Sequence, residues 1–551
     1  MCRCAVHAAA ARWPSMISAQ QIDALDPQTR QAMLSLMAEL AARDTQIQQR
    51  DHEIAFKQAL IDKLTHEMAV LKRLKFAATS ERFASTLSPE QKSLLEETLD
   101  TDISELGREL ERERGDGDDK GKDKSDKKQP KRAPLPPHLP RRDVPHEPAD
   151  TNCGCGQPMQ RIGEDVAQKL DYQPGVFTVE RHVRGKWACR CCQKLVQAPV
   201  PAHVIDKGIP TAGLLAHVLV AKFMDHLPLY RQEAIFERAG HLIARSTLAQ
   251  WVGECGAQLQ PLVQALANEL RRHLVLHADE TPVAMLKPAK LRDGKTHRAY
   301  IWSYCTPSTN PTKAVVYEFC ETRSGENVRE FLKLDTEQAW KGTLVTDGFS
   351  GYSACVEKGV TSAQCMAHAR RKFNDLWANH GSEVGRKALR YYQCLFRIER
   401  EIEALPGDER RRIRQRKSRR VLAVFHRWLL AQRQLVPPGS ATIKAIDYSL
   451  KRWKELTRFV EDGEVPISNN WVENQIRPIA LGRANWLFAG SLRAGKRAAA
   501  VMSLLHSARI NGHDPYAYFK DVLERLPTHP AGRIDELLPH RWDAAAATLA
   551  A

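Results

Sequence analysis

The feature that most constrains this chain is a pair of carboxylates, each ending an apolar, β-branched run. In "LVLHADETPV", residues 274–283, the run stops at Asp279; in "TLVTDGFSGY", residues 343–352, it stops at Asp347, with Gly348, Phe349 and Gly351 following. A lone Asp after a strand ordinarily caps a turn. Two in the same setting call for a bound cation or a shared proton, because neighbouring carboxylates repel one another. "AYIWSYCTP" and "AVVYEFCET" continue the first run as an antiparallel meander with short polar connections. "SGENVREFLKL" then reads as a helix capped by Ser324, followed by the strand of Asp347 and a last strand in "TSAQCMAHA".

Three strands, helix, strand, helix, strand is the order of a ribonuclease-H-like α/β core, assigned to residues 271–373, in which the first and fourth strands are neighbours. Asp279 and Asp347 are therefore expected side by side. Hard oxygen donors on adjacent strands suit Mg²⁺ or Mn²⁺, which keep coordination positions for water and phosphate. A third carboxylate is then needed from a helix crossing the sheet. Glu473 is best placed, in "ISNNWVENQIRPIALGRANWLFAGS", where Asn469 or Asn470 starts the helix. Arg477, at i+4, shares the face of Glu473, and Arg483 follows; both are candidates for phosphate contact. Glu280 is expected on the opposite strand face from Asp279. His368 and Arg371, in "CMAHARRKF", either orient the metal shell and hold a phosphate or simply start a helix.

Residues 374–465 have helical patterning and read as a domain inserted before the catalytic helix region, 466–500; residues 501–551 form a C-terminal helical region. The insertion carries Arg410, Arg411, Arg412, Arg414, Arg416, Lys417, Arg419 and Arg420, eight basic residues in eleven. That density is expected to exceed the local acids and to clamp DNA phosphates, the alternative being a solvated helix surface. Over the whole chain 82 Lys and Arg face 66 Asp and Glu, a formal charge of +16, which favours an anionic partner.

Beyond a tail at 1–33, Leu40, Ile47, Ile54, Ile61 and Met68 recur every seven residues, with Leu64 and Leu71 as a second stripe. Residues 34–106 are read as a two-stranded coiled coil, the alternative being an ordinary amphipathic helix. Residues 107–150, charged and then Pro-rich, are expected to be a disordered linker. In 151–205, Cys153 and Cys155 are separated by a strand-like stretch from Cys189, Cys191 and Cys192. Cys153, Cys155, Cys189 and Cys192 are expected to hold one structural Zn²⁺. Residues 206–270 are helical, and "YRQEAIFERAGHLIARSTLAQWV" has the outline of a helix-turn-helix or of a plain helical hairpin. In the first case Ser246 caps the second helix, and Arg245, Thr247 and Gln250 face DNA. No uninterrupted apolar run is long enough to span a membrane, and scattered cysteines without a disulfide pattern point to the cytoplasm.

With these segments in hand the chain resembles transposases of the insertion-sequence-66 (IS66) family. The likeness rests on "RLKFAATSERF", "LPPHLPR", the paired cysteines, "DHLPLYRQEAIFERAG", "HADETPV", "TDGFSGY", "CMAHARRKF" and "NNWVENQIRPIALGRANWLFAGS". It implies a multidomain α+β protein with a zipper, a zinc-binding module, a helical DNA-binding region and a DDE catalytic core. It further implies a triad of Asp279, Asp347 and Glu473 holding two Mg²⁺ or Mn²⁺. The activity implied is cleavage of element ends and joining of their 3′-OH groups to target DNA, the alternative being an inactive DNA-binding regulator. Implied partners are the terminal inverted repeats, target DNA, a second copy of the chain and small accessory proteins of the same element. The CxC first knuckle departs from the family's paired-cysteine pattern.

Overall fold

A computed structural model describes residues 26–78, 89–114, 135–155, 157–173, 175–206, 208–286, 296–486 and 488–543. The chain divides into two compact units, one from residues 1–69 with 109–122 and the other from 70–108 with 123–551. In the first unit the described structure is mostly one helix. This helix, α1 (Pro27–Ala78), runs for 52 residues and extends past the unit boundary. Its heptad residues Ile47 and Ile54 are 55% and 64% exposed, so the seam has no cover there among the described residues.

The second unit takes in residues 89–108 of the next helix, α2 (Pro89–Arg114). This corrects the reading of 34–106 as one zipper. Leu94, Leu95, Leu99 and Leu106 of α2 are buried, and so are its charged residues Glu97, Asp102 and Glu105. A helix that buries three carboxylates needs fixed cationic partners, and it finds them far along the chain: Lys222 for Glu97, and Arg497 for Asp102 and Glu105.

The linker expectation also fails beyond residue 134. Residues 107–114 complete α2, residues 115–134 lie outside the described residues, and 141–146 form a strand. The Arg141 guanidinium gathers the carbonyls of Leu135, Pro136, Pro137 and Leu139, which turns the Pro-rich stretch into a compact corner. From there β1 (Arg141–His146) runs parallel to β3 (Val176–Ala188), which pairs antiparallel with β2 (Gln160–Gln173) and β4 (Leu195–Gln197). One end of the β2–β3 hairpin inserts Leu170, Tyr172, Phe177 and Val179 into the main core, and the other carries the cysteines.

Next come α3 (Ala212–Phe223), α4 (Leu229–Arg238) and α5 (Arg245–Leu270). α5 is a core helix. Leu248, Ala249, Leu259, Leu262 and Leu266 have no exposed surface, and burying each leucine side chain contributes about 1.5–3 kcal/mol. Its outer side is covered by α2: a Cβ added to Gly253 would lie 2.4 Å from the Thr101 carbonyl oxygen. The helix cap also differs from expectation. α5 begins two residues earlier, after Ala244, and the Arg245 N–H donates to Glu233, so Ser246 does not cap it.

The central sheet follows, with strands β5 (Val275–Leu286), β6 (Thr296–Cys305), β7 (Val315–Cys320), β8 (Thr343–Thr346) and β9 (Thr361–Gln364), ordered β7-β6-β5-β8-β9. β6 runs antiparallel to both β5 and β7, while β8 is parallel to both β5 and β9. Helix α6 (Gly325–Phe331) starts at Ser324, whose hydroxyl accepts the Glu326 N–H at 3.2 Å, as the sequence predicts. The last strand is shorter than expected: Cys365 caps α7 (Met366–His380), so "MAHA" is helical.

Alternate residues of the sheet feed two cores. Leu276, Ala278 and Leu344 point into one, with α5 and the helix Leu492–Ile510; Val275, Val345 and Ala363 point into the other, with α7 and the insertion. The insertion comprises α8 (Glu383–Ile402), α9 (Gly407–Ile413), α10 (Arg419–Leu435) and α11 (Ala441–Lys451). After it α12 (Asn470–Trp486) crosses β5 and β6, and α13 (Leu492–Ile510) and α14 (Pro515–Arg525) close the fold.

Candidate active site

Strand alternation decides which carboxylates meet. Asp279 follows Val275 and His277 at two-residue steps and shares their face of β5. The parallel pairing of Val275, Leu276 and His277 with Thr343, Leu344 and Val345, if extended by two residues, sets Asp279 level with Asp347, just past the end of β8. The Asp347 carboxylate accepts the Phe349 N–H at 2.8 Å, and Asp279 accepts the Glu280 N–H at 2.9 Å. Burial raises the Asp279 carboxyl to about 8, reinforced by the charges of Glu280 and Asp347 and, more weakly, of Glu473. The three groups thus sit within electrostatic reach of one another.

Glu473 lies on the first turn of α12, and Asn469 fixes that turn. Fully buried, Asn469 donates from Nδ2 to the Ala278 carbonyl at 3.0 Å and meets His277 Nδ1 at 2.7 Å. Its backbone N–H donates to Cys365 Sγ at 3.1 Å. One side chain therefore ties the helix of Glu473 to the strand of Asp279 and to the start of α7. On that helix His368 Nδ1 is 3.8 Å and Arg371 Nη2 is 4.0 Å from the Glu473 carboxylate. The ligand atoms of Cys365, His368 and Glu473 fall within 4.8 Å of one another, and the two aspartates lie outside that group.

Glu280 points to the other face, as alternation requires, and it is not a solvent residue. It accepts Arg323 Nε and the Tyr352 hydroxyl, each at 2.7 Å, and the Arg323 guanidinium lies 3.7 Å from the centre of the Phe349 ring. Glu280, Arg323, Phe349 and Tyr352 thereby hold the turn that presents Asp347. Gly348 in that turn has φ +88, where a Cβ would also lie 2.9 Å from Gln364 Oε1. The insertion adds Tyr448, whose hydroxyl donates to the Asp347 carbonyl at 3.2 Å while Arg452 stacks on its ring at 4.3 Å. Asn469 was visible in the sequence as a helix start. Arg323, Tyr448 and Arg452 carry no local signal, because only the fold brings them to Asp347.

The basic residues separate by environment. Arg410 and Arg414 are buried: Arg410 binds Glu464 and the Gly463 carbonyl, and Arg414 binds Glu399 and the carbonyls of Phe459, Asp462, Gly463 and Val465. Arg412, Lys417 and Arg419 pair with Glu409, Glu401 and Glu461. Local acids therefore do engage most of the cluster, against expectation, and Arg410 and Arg414 are turned away from any phosphate. Arg411, Arg416 and Arg420 remain exposed. Arg245 likewise binds Glu96 at 3.0 Å and Ser93, clamping α2 onto α5, which removes it and the covered face of α5 from groove contact. Arg477 is exposed on α12, and Arg483 donates to the Pro282 carbonyl at 2.8 Å.

In the zinc-module region Cys153, Cys155, Cys189 and Cys192 bring their sulfurs within 4.8 Å of one another, with Cys153 and Cys192 at 2.9 Å and Cys155 and Cys189 at 3.6 Å. The Cys192 N–H aimed at Cys189 holds that thiol down at about 6. Four convergent thiols fit a structural tetrahedral ion. Cys191 is exposed and outside the group. The tight CxC knuckle thus closes the set as well as a CxxC does.

Residues 207–497, more than half the chain, match the model of the transposase IS66 family. The chain belongs to the IS66 transposase family. Further matches fall on the IS66 C-terminal element at 503–540, the zinc-finger binding domain of transposase IS66 at 150–193, and a model described as Transposase C of IS166 homeodomain at 63–144. Among similar proteins of Sinorhizobium fredii (strain NBRC 101917 / NGR234), uncharacterized protein y4jD is 34% identical over 87% of this chain and 94% of its own. Uncharacterized protein y4qI is 34% identical over 93% of this chain and 96% of its own, and y4hP is 36% identical over 76% and 78%. As an IS66 transposase relative the chain has a DNA-directed architecture, and none of its described helices is long and apolar enough to cross a membrane.

Proposed function

We propose that the chain is a DDE transposase that cleaves the ends of an insertion sequence and joins the freed 3′-OH groups to target DNA, with Asp279, Asp347 and Glu473 as the metal-binding triad. The observation that carries the reading is Asp279, a buried carboxylate raised to about 8 beside two other carboxylates, with the Glu473 Oε1 atom buried and unpartnered. Such a donor set is stable as a group of anions only around a hard divalent cation, Mg²⁺ or Mn²⁺. When bound, two such ions would activate the attacking oxygen and offset charge on the leaving one. The strand order β7-β6-β5-β8-β9, with its antiparallel and parallel halves, supports reading the sheet as a ribonuclease-H-like core.

The chain's own groups then have defined tasks. Asn469 sets the position of Glu473 relative to Asp279, while the Glu280–Arg323 pair and Tyr448 hold Asp347. Arg371, exposed and close to Glu473, and Arg477, one turn along α12, face the surface where a scissile phosphate would lie. Arg452, stacked on Tyr448, adds a cation beside Asp347. A zipper dimer working in the cytoplasm would hold two element ends at once.

Asp279→Asn, Asp347→Asn and Glu473→Gln should each abolish strand cleavage of an end-containing DNA while leaving end binding within about twofold, since each removes metal-binding charge at nearly constant shape. Cleavage surviving in any one variant removes that residue from the triad. Binding without cleavage by the unaltered chain, at saturating Mg²⁺ and Mn²⁺, favours the regulator alternative.

A further inference from the structure

We infer that Cys365, His368 and Glu473 form a second site for a borderline-soft divalent cation of the zinc class, separate from the four-cysteine cluster. Cys365 and His368 are three residues apart at the start of α7, which puts both on one side of its first turn. Glu473 reaches them from the first turn of α12, and the three ligand atoms lie within 4.8 Å of one another. The juxtaposition is fixed from both sides, because the Asn469 N–H that precedes Glu473 donates to the Cys365 sulfur at 3.1 Å.

Two atoms here are unexplained by the protein alone. His368 Nδ1 and Glu473 Oε1 are buried, face each other at 3.8 Å, and neither has a hydrogen-bond partner. Buried polar atoms are rarely left so, and each such atom needs an account. A cation between them supplies one: imidazole nitrogen, carboxylate oxygen and sulfur on three corners, with a fourth left for water, is the pattern of an open zinc site. Sulfur and imidazole select zinc-class ions over Mg²⁺. Burial pushes the free Cys365 thiol up to about 11, so an arriving ion must displace its proton. The N–H groups of Asn469, His368 and Ala367 directed at the sulfur favour the thiolate that results.

Glu473 would then belong to two sites. On the triad reading of Glu473, zinc bound here withdraws the third carboxylate from the hard-cation site, so zinc opposes Mg²⁺ in cleavage. That consequence rests on the proposed function; the binding itself does not.

The test uses the full chain with its four-cysteine cluster filled with zinc and Co²⁺ as the probe. One further Co²⁺ per chain should bind with a thiolate-to-cobalt charge-transfer band, and Zn²⁺ should displace it. His368→Asn, at a side chain 22% exposed, should weaken binding roughly tenfold or more with the far-ultraviolet spectrum unchanged, since even outer partners of a metal site contribute that much. Cys365→Ser should remove the band, while Asp279→Asn should leave it unchanged and abolish cleavage. No band beyond that of cobalt exchanged into the four-cysteine cluster overturns the site. So does a band indifferent to His368→Asn, or one lost in Asp279→Asn.

Discussion

His506, on α13, has no exposed surface and shows how a single proton can matter to the core. The Tyr317 hydroxyl donates to the Gln475 carbonyl at 2.8 Å, so His506 Nδ1, also 2.8 Å from that hydroxyl, carries the hydrogen and donates to its oxygen. Nε2 is left bare and without a partner. Burial first, then the charge of Arg509, holds the imidazole down at about 3. An unfolded histidine takes up its proton below about 6.5, and this one does not until about 3. Its contribution to stability is therefore complete above about 6.5 and is lost as pH falls, by up to about 1.4 kcal/mol per pH unit. Urea midpoints at pH 7 and pH 5 should show that loss, and His506→Gln should shrink the difference between them. An unchanged difference would assign the effect to other buried histidines such as His277. The tautomer was not legible in the sequence, because both partners of the hydroxyl lie far away along the chain.

At the scale of elements, the docking of α2 depends on buried charge. Arg497 Nη1 reaches Asp102 at 3.0 Å and Glu105 at 2.6 Å, all three side chains being almost fully enclosed, and Ser491 adds a bond to Asp102. Burial raises the Asp102 carboxyl and the Arg497 charge opposes that, so the arginine is what keeps this carboxylate compatible with its enclosed position. Arg497→Ala should cost about 3–5 kcal/mol, the usual result of leaving a buried charge unpaired. Chemical denaturation checks it, and a loss under about 1 kcal/mol would mean that water or rearrangement replaces the guanidinium. The same logic separates Arg410 and Arg414 from Arg411 and Arg416. All four look alike in the run 410–420, but helical periodicity turns the first two inward onto Glu464 and Glu399.

For the whole molecule, the exposed heptad residues of α1 are the surface on which a second copy is predicted to pack. Ile47, Ile54 and Phe56 are each more than half exposed, whereas Leu71 and Leu74 at the other end of the helix pack on the Leu94, Leu95 and Leu99 cluster of α2. Deletion of residues 27–62 spares that packing and should convert an assembly of at least two chains into monomers by light scattering, with the helical signal of the remainder preserved. An unchanged mass would locate association on the second unit.

What this sequence determined by itself was chemistry written in short stretches. Asp279 and Asp347 following β-branched runs, Ser324 opening a helix, the CxC and CxxC knuckles and the seven-residue spacing of α1 are patterns within short windows, although β5 runs on past Asp279 to Leu286 and only Asp347 lies at a strand end. Their residue types and spacing limit what they can do whatever surrounds them. The tertiary structure decided which charged groups are spent inside the molecule. Arg245, Arg414 and the acidic face of α2 resemble surface charge in the sequence, and the partners that bury them lie well outside any local window: Glu96, the carbonyls around Gly463, and Arg497. Burial is a property of the packed chain, and the cost of an unpaired buried charge makes those distant pairings obligatory. The meeting of Cys365 and His368 with Glu473 has the same origin, since Asn469 joins two helices that the whole inserted domain separates in sequence.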